Sequence, residues 1–193
     1  MSDSASGDVS GQEIVERSFG QRALSFTWGV IWRVAVFIAL VIVIRTFAIE
    51  RFIIPTGSML PTIQLDDVVL CEKVSYRFTG GPADGDIIAF DDPQGSGYVL
   101  AKRVIATEGQ EVDIRDGEVY VDGVADEYGF GKTMSQSPSI TYPFVVPKGK
   151  IWVMGDNREG SKDSRTFGLV DKSAVIGRFV WRLTPFDTFG AVS

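Results

Sequence analysis

A serine between two prolines, a lysine on an apolar strand and the absence of histidine define the chemistry open to this chain. The serine is Ser58, in the stretch Ile54-Pro55-Thr56-Gly57-Ser58-Met59-Leu60-Pro61-Thr62. Each proline biases the residue before it, Ile54 and Leu60, toward extended backbone. Gly57 has no Cβ, so another segment can approach Ser58 closely. The pattern predicts a stiff, non-helical presentation of one hydroxyl. It is also the pattern of a proline-bounded turn whose serine bonds its own backbone. With 0 histidines in 193 residues, no Ser-His-Asp triad, Cys-His dyad or HExxH zinc site can exist. A nucleophilic serine here takes its base from Lys, Asp, Glu, Tyr or an amino terminus.

Lys102 is the candidate base. In Tyr98-Val99-Leu100-Ala101-Lys102-Arg103-Val104-Ile105, strand alternation sets Lys102 on one face with Leu100 and Val104, and Arg103 on the other with Ala101 and Ile105. A lysine on an apolar face loses hydration, and its pKa falls; the neutral amine can then accept a serine proton. A half-buried lysine that snorkels to water fits the same pattern. A third stretch, Gly155-Asp156-Asn157-Arg158-Glu159-Gly160-Ser161-Lys162-Asp163-Ser164-Arg165, is dense in short polar side chains. It suits a loop locked by side chain–backbone hydrogen bonds. Asp163 and Arg165 are candidates for an ion pair, and Ser161 and Ser164 offer hydroxyls for holding a neutral lysine.

Other motifs fail. Gly131-Lys132-Thr133 lacks the leading glycine of a phosphate loop, since position 126 is Asp126. Residues 156–163 put Arg158 and Gly160 where a calcium loop needs oxygen ligands. No Ser-x-x-Lys motif occurs. No metal or other cofactor is expected.

The elements that must position these residues follow from hydropathy. Residues 1–24 read as a mobile tail. From about Ser25 to Arg45 the chain is apolar, with Arg33 inside, Trp28 and Trp32 near one end and an unbroken apolar run from Val34 to Ile44. That is about the ~20 residues a membrane helix needs, and residues 25–45 are read as a permanent transmembrane anchor rather than a core helix or a cleaved leader. Arg17, Arg22 and Arg33 before the run orient the N-terminus to the cytoplasm and all that follows to the far side. Beyond the anchor, short β-rich runs punctuated by Gly, Pro and Asp predict strands at 67–70, 86–90, 98–105, 150–154 and 174–183. Residues 112–114 and 119–121, joined across Asp116-Gly117, predict a hairpin. The expectation is a mainly β chain, with an N-terminal transmembrane helix followed by an antiparallel β catalytic domain. The catalytic core covers 46–107 and 148–187, a small β-hairpin and loop subdomain is inserted at 108–147, with residues about 127–139 as loop, and 188–193 is a tail. The net charge of −6 argues against a nucleic-acid partner. The single Cys71 excludes an intrachain disulfide framework and reads as a small core residue.

Taken in order, Ser58-Met59-x-Pro61-Thr62, Gly85-Asp86-Ile87, Lys102-Arg103-Val104-Ile105 with Gly109, and Gly155-Asp156-Asn157…Ser161-x-Asp163-Ser164-Arg165-x-x-Gly168 resemble the ordered boxes of bacterial type I signal peptidases. The resemblance covers the anchor and nearly everything from about 45 to 183. It implies Ser58 as nucleophile, Lys102 as general base, the Ser58 N–H and Thr56 hydroxyl as oxyanion hole, and Ser161 orienting Lys102. Asp163 and Arg165 would support the dyad. It further implies membrane-bound serine endopeptidase activity that removes signal peptides with small residues before the cut from exported preproteins. Membrane lipid and the export machinery are the other partners it suggests. Two alternatives stand beside it: a self-cleaving Ser-Lys protease of the repressor type, and a catalytically silent, membrane-tethered β-domain that binds peptides.

Overall fold

β-Branched and aromatic residues spaced two apart build strands from residue 49 onward in a computed structural model that describes residues 28–44, 48–133 and 140–192. The chain divides into two units, Met1–Arg45 and Thr46–Ser193, each described by itself. In the first, residues 28–44 form a helix, α1. Among the described residues no helix is long and apolar enough to cross a membrane. The ends of the anchor expected over 25–45, at 25–27 and 45, lie outside the described residues, as does the tail expected over 1–24.

The second unit is mainly β and its strands pair antiparallel. One sheet follows the order β1 (Ile49–Ile53), β2 (Val68–Glu72), β11 (Val175–Thr184), β3 (Ile87–Asp91), β4 (Val99–Thr107), β9 (Lys150–Met154), β10 (Val170–Asp171), with β12 (Gly190–Ala191) on β11. A second sheet has the order β7 (Val124–Ala125), β6 (Glu118–Val121), β5 (Glu111–Arg115), β8 (Phe144–Val145). Two single-turn helices, α2 (Tyr76–Thr79) and α3 (Ser164–Phe167), interrupt the strands. The hairpin expected across Asp116-Gly117 is present. Asp116 and Gly117 have φ of 54° and 82°, the left-handed pair that a two-residue turn of this hand requires.

Three apolar clusters explain why the central strands carry long apolar runs rather than clean alternation. Ile88, Phe90, Val104 and Val153 pack on one side of β3, β4 and β9. On the other side, Ile105, Trp152 and Met154 meet Val112, Ile114 and Val119 of the second sheet. A third cluster, with Ile54, Met59, Ile63, Val69, Cys71, Ala89 and Phe179, lies under β1, β2 and β11. Covered on both faces, residues 102–106 of β4 are all buried, Lys102 and Arg103 included. Cys71 is wholly buried, and burial pushes its thiol up to about 12.

The strands expected at 67–70, 86–90, 98–105, 150–154 and 174–183 all occur, the one at 150–154 with those bounds and the others with ends moved by one or two residues. β1, the short β10 and β12, and the two helical turns add to them. A single turn has no periodicity to read, and β1 carries Glu50 and Arg51 on an edge, which hides its alternation. Within the loop expected at 127–139, residues 134–139 lie outside the described residues.

Candidate active site

Met59 and Ile63 are fully buried and pin the segment between β1 and β2. Truncating a buried Met of this kind typically costs about 2–5 kcal/mol, so the turn's position is tied to the core. The sequence pattern suggested a non-helical presentation of Ser58, but Gly57–Met59 forms one 3-10 turn. Extension holds on either side of it, at Thr56 (φ −131°, ψ 150°) and at Leu60 (φ −62°, ψ 143°). The Thr56 side chain makes no capping bond and is exposed, so its hydroxyl is free for a ligand.

Across from the turn, the register sets Lys102 opposite Ile88 and Leu100 opposite Phe90, on the face shared with Val104. Lys102 Nζ donates to Ser58 Oγ at 2.8 Å and to the Ala101 carbonyl at 2.8 Å. Lys102 is 4% exposed and Ser58 8%. Desolvation drives the lysine pKa down from 10.5 to about 8, against the opposing pull of Asp163 and Asp156. A carboxylate or a second cation near Nζ would have given a fixed ammonium or a weak base; burial leaves an amine that titrates close to neutrality.

The loop after β9 closes the site from behind. Gly155 is glycine for space: a Cβ there would lie 2.4 Å from the Ser58 carbonyl oxygen and 2.3 Å from Ser161 Oγ. Asn157 clamps the turn, donating from its backbone N–H to the Ser58 carbonyl (3.1 Å) and from Nδ2 to the Gly57 carbonyl (3.0 Å). Asp163 accepts from Arg165 Nε (2.8 Å) and Nη2 (2.7 Å) and from the Gly155 N–H (3.0 Å). It also caps α3 by accepting the Arg165 N–H at 3.2 Å. Ser164 Oγ accepts the Val153 N–H at 3.0 Å. Ser161 lies at Gly155 beside the Ser58 carbonyl, but its Oγ has no hydrogen-bond partner; the second bond of the lysine goes to Ala101 instead.

Several residues here carried no role in the sequence. Arg103, read as pointing away from Lys102, is 3% exposed and grips Asp156 through Nε (2.8 Å) and Nη2 (2.7 Å), with Nη1 on the Gly85 carbonyl at 2.9 Å. Thr62 Oγ1 donates to the same Asp156 at 2.5 Å. A cation on a face shared with Ala101 and Ile105 was itself a signal, because a buried guanidinium needs a counter-charge.

A cavity of about 330 Å³ opens beside Lys102, lined by Ile54, Pro55 and Thr56 on one wall and by Val99, Leu100 and Lys102 on the other. Among the described residues β1 pairs only with β2. β4 pairs with β9 only from Arg103 onward, which leaves the outer edge of residues 99–102 open beside the cavity. Among the described residues no cluster of three or more Cys, Asp or Glu side chains is placed to hold a metal.

Residues 27–184 match the family described as "Signal peptidase, peptidase S26". A relative named "Probable signal peptidase I-1" in Synechocystis sp. is 40% identical over 163 residues, covering 79% of this chain and 80% of its own length. Signal peptidase IB of Staphylococcus aureus is 33% identical over 176 residues, 82% of this chain and 91% of its own. A crystal structure of a signal peptidase I from Enterococcus faecalis is 35% identical, covers 50% of this chain and 95% of that one, and superposes with a TM-score of 0.42. The chain therefore belongs to the signal peptidases of peptidase family S26.

Proposed function

We propose that Ser58 and Lys102 are the nucleophile and general base with which this signal peptidase removes N-terminal signal peptides from exported preproteins. The observation that carries the assignment is the 2.8 Å contact between two buried groups, Lys102 Nζ and Ser58 Oγ, at the mouth of an apolar cavity. The neutral amine keeps one N–H on the Ala101 carbonyl and turns its lone pair to the serine hydroxyl. It takes the Ser58 proton as Oγ attacks the scissile carbonyl, and the resulting ammonium returns that proton to the leaving amine. The acyl-enzyme is then hydrolysed by a water that Lys102 deprotonates in the same way.

The tetrahedral oxyanion is held by the Ser58 N–H, among the first amides of a helical turn and so without a partner inside it, and by the uncapped Thr56 hydroxyl. An extended substrate lies between β1 and the open edge of residues 99–102, bonding its backbone to both and seating small side chains in the cavity. Asp163 and Arg165 hold the loop behind the dyad. Ser161 adjoins the lysine site, and a small movement of its hydroxyl would give Lys102 a further partner.

The chain is anchored by a single membrane helix over 25–45, with the N-terminus cytoplasmic and the catalytic unit on the far side. Support comes from the apolar run of α1 and the arginines that precede it. Lipid and the export machinery are then its neighbours.

The family assignment decides against the repressor-type alternative. Turnover tests the alternative of a silent peptide-binding domain: detergent-solubilised protein should cleave a model preprotein, and Ser58→Ala should not. Cleavage by purified Ser58→Ala at the wild-type rate would refute the dyad.

A further inference from the structure

Residues 126–130 follow β7 of the second sheet and return across the loop behind Ser58. The Phe130 N–H donates to the Asp156 carbonyl at 2.8 Å, and the Phe130 carbonyl accepts the Arg158 N–H at 3.1 Å, which makes an isolated parallel bridge between Phe130 and Asn157. The Asp126 carboxylate pairs with the Arg158 guanidinium, and both side chains are only 4% exposed. Arg158 Nε in turn donates to the Gly155 carbonyl at 3.1 Å. The Tyr128 ring lies over Arg103, 4.6 Å from the guanidinium carbon. On its other side the same loop grips the nucleophile turn through the two Asn157 bonds to the Gly57 and Ser58 carbonyls.

A relay of bonds thus runs from the segment after β7, through the 155–158 loop, to the carbonyls of Gly57 and Ser58. The segment does little for the core: Tyr128 and Phe130 are exposed, and the sheets are held together by the cluster around Trp152. Its polar bonds are directed at the 155–158 loop. We infer that residues 126–130 are a strap through which the second sheet sets the position of Ser58, with Asp126 and Arg158 as positioning residues that touch neither substrate nor dyad.

The inference rests on Ser58 being the nucleophile. Displacing a reacting group by 1 Å costs on the order of 10²-fold in rate, and a loop freed of its buried ion pair has that latitude. The test compares full-length wild type with Asp126→Asn, Gly129→Ala and, as a control in the same insert, Asp113→Asn, which breaks only the surface pair with Arg115. Gly129→Ala changes no charge. Its Cβ would fall 2.2 Å from the Arg158 guanidinium carbon, so the flexible end of that side chain must move off its pair.

Both strap variants should lose about 10- to 100-fold in kcat on a preprotein, with KM within about twofold and the acid limb of the pH profile unmoved. Amide exchange at Ser58 and Met59 should quicken in both, and Asp113→Asn should match wild type in every readout. A lower melting temperature with unchanged kcat and exchange would make the strap a structural brace only and overturn the inference. So would a raised KM at constant kcat, which would put the strap in the substrate path. If Asp126→Asn fails to fold, Gly129→Ala decides alone. Exchange at Ser58 reads the strap whatever the substrate, so a wild type that cleaves no preprotein would sink the functional assignment and leave the strap to be judged by exchange.

Discussion

Replacing Lys102 by Met removes the titrating amine from a buried site with a side chain only one atom shorter. Lys102 titrates at about 8 in the fold against an ordinary value of 10.5. A depressed lysine pKa means that the folded state resists protonation. Above 10.5 both folded and unfolded chains hold a neutral amine, and the group costs nothing. As pH falls from 10.5 to about 8 the unfolded chain takes up the proton and the folded one does not, so stability is lost through that window. Below about 8 both are protonated and the full penalty stands. At about 1.36 kcal/mol per pH unit it is on the order of 3 kcal/mol. Urea unfolding of full-length wild type and Lys102→Met in one detergent, from pH 7 to 10.5, isolates it, because every other titrating group is shared. Wild type should gain about 3 kcal/mol relative to the variant between pH 8 and 10.5 and nothing below 8. The same titration sets the rate: at pH 7 a base of pKa near 8 is neutral in roughly one molecule in ten, some 300-fold more than an unperturbed lysine. Wild-type kcat/KM should therefore fall about tenfold per pH unit below 8. Parallel stability curves for the two proteins, or a kinetic limb whose break does not fall at the lower edge of the stability window, near pH 8, would refute burial as the source of the base.

Thr56→Val keeps the shape of the side chain and removes its donor, so kcat on a preprotein should fall by roughly 10²–10³ with KM little changed, whereas Thr56→Ser should retain substantial activity. Asp163→Ala leaves the Arg165 guanidinium, 2% exposed, without its carboxylate; denaturant titration should register a loss of about 3–5 kcal/mol. After alkaline carbonate washing the protein should remain with the membrane, and recovery in the soluble fraction would remove the anchor without touching the dyad.

The parts of the site legible in the sequence were those fixed by short-range stereochemistry. Proline bias gave the extended backbone around Ser58, Asp116-Gly117 gave the hairpin turn, and strand alternation gave the face of Lys102. What escaped was set by contacts far apart in sequence. Asp156 reaches Arg103 across 53 residues and Thr62 across 94, and Asn157 reaches Gly57 across 100. No local pattern encodes such pairings. Ser58 also sits in a helical turn that the prolines did not announce, because burial of Met59 and Ile63 supplies the energy for it. Ser161 was assigned to the lysine by resemblance, yet its position is governed by packing against Gly155, and a hydroxyl without a β-branch turns freely enough to miss a partner by one rotamer.

The two buried ion pairs that flank Lys102, Arg103–Asp156 and Arg165–Asp163, make better sense as electrostatic insulation than as stabilisers, for a buried pair is often no more stabilising than apolar residues of equal volume. Lys102 must be able to lose its proton near neutral pH, and desolvation allows that only if no bare carboxylate lies nearby to favour the ammonium. Asp156 and Asp163 are both close enough to pull its pKa upward, and each is gripped on both oxygens by a guanidinium, from Arg103 and Arg165 respectively. A paired carboxylate presents the lysine with a dipole rather than a net charge, and its pull weakens accordingly. The same carboxylates are needed for geometry, since Asp163 fixes Gly155 and Asp156 ties β4 to the Thr62 end of the nucleophile turn. Anions that position the loop are thus kept from stabilising the ammonium further, which is how a site without histidine keeps the neutral lysine within reach beside two aspartates.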